Sequence, residues 1–217
     1  MSRPSKPASA GSRSPRTSKT RASSTRKVAH GRSAGDARSR ILDAAEHLIA
    51  ENGFDATPTA RIAEAAAVPK GLVFHYFPTK TELLTALISE RTNADALRDV
   101  ELEIVPGDVA GTLTRLAARF RESGHSSERM RRIIFRETET HPEVRDCVSG
   151  LYREAVKHVR DAVDAALGSA AVPDARREAV AATFAALLIH DANYQPMTGE
   201  TLDLEEIASV LAAGLED

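Results

Sequence analysis

The stretch Thr57-Pro58-Thr59-Ala60-Arg61-Ile62-Ala63-Glu64-Ala65-Ala66-Ala67-Val68-Pro69-Lys70-Gly71-Leu72-Val73-Phe74-His75-Tyr76-Phe77-Pro78 decides how the chain is read. Thr57 is a good helix N-cap, because a threonine oxygen can accept a backbone N–H that the first turn leaves unpaired. Pro58 suits the first helical position, where its missing N–H costs nothing. The spacing predicts a short helix over 58–66, with Ile62 and Ala63 on its inner face. Ala67 and Val68 interrupt it. Pro69 restarts a helix that runs to about Tyr76, and Pro78 forbids its clean continuation. Two short helices joined by a tight turn form a helix-turn-helix, here over about 58–77. The second helix of such a pair presents its first residues to a major groove. Ile62, Val73 and Phe77 fall on the inward side and are assigned to the core.

The flanks supply the supporting helices. Asp36 can cap a helix running to about Asn52, with Ile41, Leu42, Ala45, Leu48 and Ile49 on one apolar stripe. Gly53 supplies the left-handed stop, and Phe54 can fold back on the last turn. Thr79 with Glu82 makes a capping box for a following helix that continues to about Val100. Leu83, Leu84, Leu87 and Ile88 form its stripe.

Taken together, Ile41-Leu42-Asp43-Ala44-Ala45, Asn52-Gly53-Phe54, Thr57, Ile62-Ala63-Glu64-Ala65-Ala66, Val68, Lys70-Gly71, His75-Tyr76-Phe77-Pro78-Thr79-Lys80 and Leu83-Leu84 resemble the DNA-binding domain of the TetR (tetracycline-repressor-like) family. The resemblance covers about 50 residues without a gap, a quarter of the chain. By position it implies that Thr57 and Thr59 contact phosphate or groove edges from the first short helix. Lys70 and Gly71 match the start of the recognition helix: the lysine can reach a phosphate or a guanine edge, and the glycine allows close backbone approach. Leu72, Phe74 and His75 match positions that face bases, Tyr76 a hydroxyl that meets the backbone, and Lys80 a phosphate contact. The chain departs from the family pattern at Ala67 (usually the turn glycine), Pro69 (usually a serine or threonine cap), Phe74 (commonly tyrosine) and Leu72 (usually more polar).

Composition narrows the class. The chain has 217 residues, 42% hydrophobic and 28% charged, with 4% aromatics and no Trp. Abundant Ala with few aromatics favours helices over sheets. Cys147 is the single cysteine, so an internal disulfide is excluded and a reducing, cytoplasmic setting fits. The longest nearly unbroken apolar run, 179–189, is 11 residues, and a membrane span needs about 20, so no membrane partner is expected.

The net charge of −2 conceals an asymmetry. Residues 1–35 hold nine basic and no acidic residues, while the remaining 182 hold 20 basic and 31 acidic, with −3 over 36–90 and −8 over 91–217. The first 35 residues are rich in Ser, Pro and Gly and have almost no large apolar side chains, so they are expected to be a disordered basic tail. It is either a cationic arm that adds sequence-independent attraction to nucleic acid, or a solubilising tail. In the block over 36–90, Arg38, Arg40, Lys70 and Lys80 are expected to share the docking face, with Glu46, Glu51 and Glu90 elsewhere. His47 lies on the solvent side of its helix and carries no role.

The remainder, 91–217, reads as helical throughout. Pro106-Gly107-Asp108 opens one helix, with Val109, Leu113, Leu116 and Phe120 in register. Met130, Ile133, Ile134 and Phe135 mark a helix over 126–138, and Pro142 opens a long one to Leu167. Asp174 precedes another over 175–193, and Asp203 with Glu206 starts the last. The expected fold class is all-α, about nine helices: an N-terminal three-helix DNA-binding domain over 36–90 and a larger C-terminal helical domain over 91–217. The resemblance implies that this second domain binds a ligand and dimerises through its last two long helices. Ala181, Ala182, Ala185 and Ala186 would permit close packing there, and Val180, Phe184, Leu187 and Leu188 supply apolar area; an ordinary intrachain core is the alternative. Candidate pocket residues are Phe120, Arg136, Tyr152, Phe184, His190, Asn193 and Tyr194. Arg136-Glu137 is otherwise a solvated ion pair and His190 a helix-end or interface histidine.

The expected function is a homodimeric, sequence-specific transcriptional regulator, a repressor whose partners are palindromic double-stranded DNA and an unidentified small-molecule effector. A mainly nonspecific DNA-binding protein driven by the tail is the alternative. No enzyme is expected: metalloprotease, phosphate-loop and nucleophile-elbow motifs are absent, no catalytic residue is assigned, and Cys147 with seven scattered histidines has no metal-ligand spacing, so neither metal nor cofactor is expected.

Overall fold

A computed structural model describes residues 24–92, 104–123 and 127–215. The chain falls into two compact units, Met1–Asp36 and Ala37–Asp217. Nine helices, and no strand, occur among the described residues.

Helix α1 spans Ser24–Asn52, starting twelve residues before the expected cap at Asp36. Once the packed part has nucleated, each added residue gains a hydrogen bond without a new nucleation cost, and no proline intervenes after Pro15. The expected disordered tail thus overlaps α1 over residues 24–35, and its first 23 residues lie outside the described residues. Gly53, at φ +93°, ends the helix as expected, its N–H donating to Ile49 O at 2.9 Å.

Helix α2 spans Thr59–Ala65 and α3 spans Lys70–Tyr76. Thr57 does not cap α2. Its hydroxyl turns back to donate to Gly53 O (2.6 Å) and Leu48 O (3.2 Å), and Pro58 takes the cap position without a side-chain bond. The turn that follows is a Schellman closure: Val68 N–H donates to Ala63 O and Ala67 N–H to Glu64 O, both at 3.0 Å. That closure demands a left-handed residue, and Ala67 adopts it at φ +51°.

Helix α4 spans Lys80–Arg91, with Thr79 Oγ1 accepting from Glu82 N at 3.0 Å as the capping box predicts. It ends at Arg91, with Thr92 extended at φ −93°, ψ 153°, and residues 93–100 of the expected continuation lie outside the described residues. Helices α5 (Val109–Glu122), α6 (Glu128–Thr140), α7 (Pro142–Leu167), α8 (Asp174–Thr198) and α9 (Leu204–Ala213) complete the chain. Asp108, Ser127 and Asp203 each accept the N–H three residues on, and Pro142 opens α7.

Two apolar clusters hold these helices. One joins α1–α4 to α6 and the start of α7, placing Met130, Ile133 and Val144 in the same cluster as Ile41, Ile62, Phe77 and Leu84. The other is built from α5, the second half of α7, α8 and α9. Val180, Ala181, Phe184, Ala185 and Leu188 all lie in it, so the side chains expected at a subunit contact serve the intrachain core instead. Burying a side chain such as Phe184 contributes about 1.5–3 kcal/mol there. Ala186 and Val210 stay outside, Val210 at 63% exposure.

Candidate nucleic-acid interface and ligand cavity

Helix α3 stands on two buried side chains. Val73 and Phe77 pack with Ile62 in the first cluster, which fixes the rotation of α3 about its axis. The opposite side therefore faces outward: Lys70, Gly71, Phe74 and His75 are exposed, and Leu72 and Tyr76 half-buried. Gly71 has an ordinary helical conformation, and a Cβ on it would meet nothing within 4 Å. Nothing inside the protein calls for a glycine there, although glycine weakens a helix by roughly 0.5–1 kcal/mol relative to alanine. Its open side admits a close external surface.

The basic side chains around this face differ in how they are held. Lys70 Nζ lies 5.9 Å from the Phe74 ring centroid. Lys80 Nζ lies 4.3 Å over the Phe54 ring and donates to Asp55 O at 3.3 Å, which leaves further donors on the ammonium. Arg38 is engaged more fully: both its terminal nitrogens bond Glu90, one at 2.6 Å. That hydrogen bond raises the guanidinium pKa above its ordinary value. Arg38 and Glu90 are therefore adjacent, contrary to the expectation that set them on different faces; the pair joins α1 to the end of α4. Arg91 similarly meets Asp43 at 2.6 Å.

Thr57 is 1% exposed, and its buried hydroxyl is spent on two carbonyls. A groove contact from this side chain is excluded on geometry. Thr59, at the start of α2, is half-buried.

A cavity of about 650 Å³ opens between α5, α6, α7 and α8. Of the expected pocket residues, it gathers Phe120, Tyr152, His190, Asn193 and Tyr194. His190 and Tyr194 stack there with ring centroids 4.4 Å apart. Phe184 is fully buried in the second cluster and does not reach it. Arg136 points the other way, donating Nε to Glu137 at 2.8 Å and a terminal nitrogen to Ile49 O at the end of α1. Residues the sequence reading passed over complete the walls: Arg131, Ile134 and Phe135 from α6, Val148 and Leu151 from α7. Their signal was available, since 131, 134 and 135 share one helical face at i, i+3 and i+4.

Helix α6 thus has two working sides. On the other side Glu137, 3% exposed, accepts from Phe54 N–H at 3.1 Å as well as from Arg136, and meets His141 at 3.3 Å. His141 is also T-stacked on Phe54 with centroids 4.8 Å apart. The expected solvated Arg136-Glu137 pair is instead a partly buried clamp on the junction between α1 and α2. Among the described residues no helix is long and apolar enough to cross a membrane, and no His, Cys, Asp and Glu group is arranged for a metal.

Residues 41–87 match the model of the family described as bacterial regulatory proteins, tetR family. The HTH-type transcriptional regulator YvkB of Bacillus subtilis is 30% identical over 122 residues, 56% of this chain and 57% of that protein. The HTH-type transcriptional repressor AcnR of Corynebacterium glutamicum is 35% identical over 75 residues, 35% of this chain and 38% of that one. The chain thus spans little more than half the length of the first relative and over a third of the second. The fold is similar to that of Salmonella enterica GusR, with a TM-score of 0.61 over 83% of this chain and 96% of that chain at 23% identity. In sequence the helix-turn-helix block, residues 41–87, is that of the tetR family of bacterial regulatory proteins, and the described helices are arranged in a fold similar to that of GusR.

Proposed function

We propose that this protein is a sequence-specific DNA-binding transcriptional regulator, a repressor that binds an inverted-repeat operator as a homodimer and releases it when a small molecule enters the cavity. The observation that carries the reading is the two-sided α3. Val73 and Phe77 anchor it, while Lys70, Gly71, Phe74 and His75 are exposed and Leu72 half-buried beside them. In this reading Lys70 and Lys80 meet phosphates, which fixes register, and Leu72, Phe74 and His75 meet base edges, which gives specificity. Thr59 and Tyr76 flank them on the backbone side. Two copies are needed because half-sites on successive major-groove faces lie about 34–36 Å apart, beyond the reach of one recognition helix. The residual outer apolar side chains of α8 and α9, Val210 among them, are where the second copy docks.

Effector response follows from α6. A ligand seated on Arg131, Ile134 and Phe135 shifts a helix whose opposite side holds the end of α1 through Arg136 and Glu137. The two sites are then coupled, and coupling is reciprocal: a ligand that lowers DNA affinity is itself held less tightly by the DNA complex.

The test is selection from random duplex DNA with the full chain at near-physiological salt. An enriched inverted repeat is the expected result. Tight binding without enrichment refutes the proposal and leaves a nonspecific binder.

A further inference from the structure

The charged side chains that line the cavity among the described residues are of one sign. Among the described residues Arg131 and Arg153 line it, and no Asp or Glu does. This runs against its surroundings, since residues 91–217 are acidic by a balance of −8. Arg131 is 8% exposed and Arg153 is exposed, so one cation lies deep and the other at the rim. Between them the wall is apolar, from Ile134, Val148 and Leu151.

A deep guanidinium in an apolar wall is selective. Its planar fork matches the two oxygens of a carboxylate, and the low-dielectric surroundings strengthen that pairing. Arg131 has an interaction within the protein already, and five N–H donors leave capacity for a second acceptor. A cationic guest would meet repulsion from these two guanidiniums. The volume of about 650 Å³ falls among pockets that enclose whole small molecules.

Resting on the reading of this cavity as the effector site, we infer that its occupant is an apolar carboxylate. The acid group meets Arg131, and an aliphatic or aromatic body lies along Ile134, Val148 and Leu151, with Tyr152 at its side. Selectivity comes from the sign of the charge, and the apolar wall supplies most of the contact area.

The experiment is isothermal titration of the full chain with two matched series. One is decanoate, decanol and decyltrimethylammonium; the other is naphthoate, naphthylmethanol and naphthylmethylammonium. In at least one series the carboxylate binds tightest, about tenfold or more above the alcohol, and the ammonium is weakest. Arg131→Gln removes the advantage of acid over alcohol while the alcohol still binds. Arg153→Gln, at the rim, changes acid binding by about threefold or less. Should Arg131→Gln fail to fold, Arg131→Lys keeps the charge without the fork and lowers acid binding alone. Equal binding of acid and alcohol in both series, a tighter ammonium, or no binding at all overturns the inference. DNA release is measured on the same samples. A carboxylate that binds without releasing DNA overturns the effector reading and leaves the ligand class standing. A neutral compound that releases DNA while no carboxylate binds does the reverse.

Discussion

Replacing Ala67 by glycine should stabilise this protein, although glycine usually weakens whatever it enters. Ala67 sits at φ +51° between α2 and α3. A left-handed conformation costs an L-residue roughly 1–2 kcal/mol from the contact of Cβ with its own carbonyl. Glycine escapes that cost but carries about 0.5–1 kcal/mol of extra unfolded-state entropy. Ala67 is exposed, so losing its methyl group forfeits no packing. The balance is a gain of about 0.5–1 kcal/mol, or a rise of about 1–4 °C in Tm for a chain of this size. Ala65→Gly is the control: it is exposed at the end of α2 without a positive φ, and it should lose about 1 kcal/mol. Urea unfolding of the two variants beside the parent gives both values. If Ala67→Gly is destabilised as much as Ala65→Gly, the left-handed turn at Ala67 does not exist.

Further tests address single side chains. Thr57→Val should cost about 1–2 kcal/mol in urea unfolding, because the inward hydroxyl bond, shared between Gly53 O and Leu48 O, disappears and leaves buried carbonyls unsatisfied, while the DNA affinity of the folded variant stays unchanged; a selective loss of DNA binding would return Thr57 to the interface. His75→Ala should change the base preferred in selection or cost about 1–3 kcal/mol on the best site alone, and an unchanged site would displace His75 from the groove. Lys80→Ala should weaken binding to all sequences alike and lower the salt slope by about 1, whereas loss confined to one sequence would make Lys80 a base reader. Asp174 titrates below its ordinary range because Arg160 bonds and neutralises it. A depressed folded-state value adds stability above the ordinary carboxylate range and loses it as pH falls through the folded value. The Tm difference between the parent and Asp174→Asn should therefore be largest near neutral pH and shrink below about pH 4; growth on acidification would contradict the pairing.

Local chemistry made most of the helix ends legible. Gly53, Pro69, Thr79, Asp108, Pro142 and Asp203 act on the backbone within a few residues, and each marks an end in the structure. What depends on distant partners was not legible in this way. Nothing near Thr57 says that its hydroxyl will find Leu48 O rather than the first turn of α2. The start of α1 at Ser24 follows from the cheap extension of a formed helix. Phe184 reads equally well as a subunit contact or a core residue, since both need the same apolar stripe. Arg136 shows the sharpest limit: beside Glu137 in sequence it looks like a surface pair, and only the tertiary arrangement brings it to the end of α1.

The presence of Met130, Ile133 and Val144 in the same apolar cluster as the helix-turn-helix has a practical consequence for protein engineering. Grafting the DNA reader of one relative onto the effector module of another by joining them after α4 would cut through shared hydrophobic matter. The donor fragment would arrive with Leu84 and Ile88 uncovered, and the acceptor would present Ile133 with nothing to meet. A productive hybrid has its seam along the other face of α6, so that this helix travels with the reader, or else exchanges the few residues on both sides of the contact together.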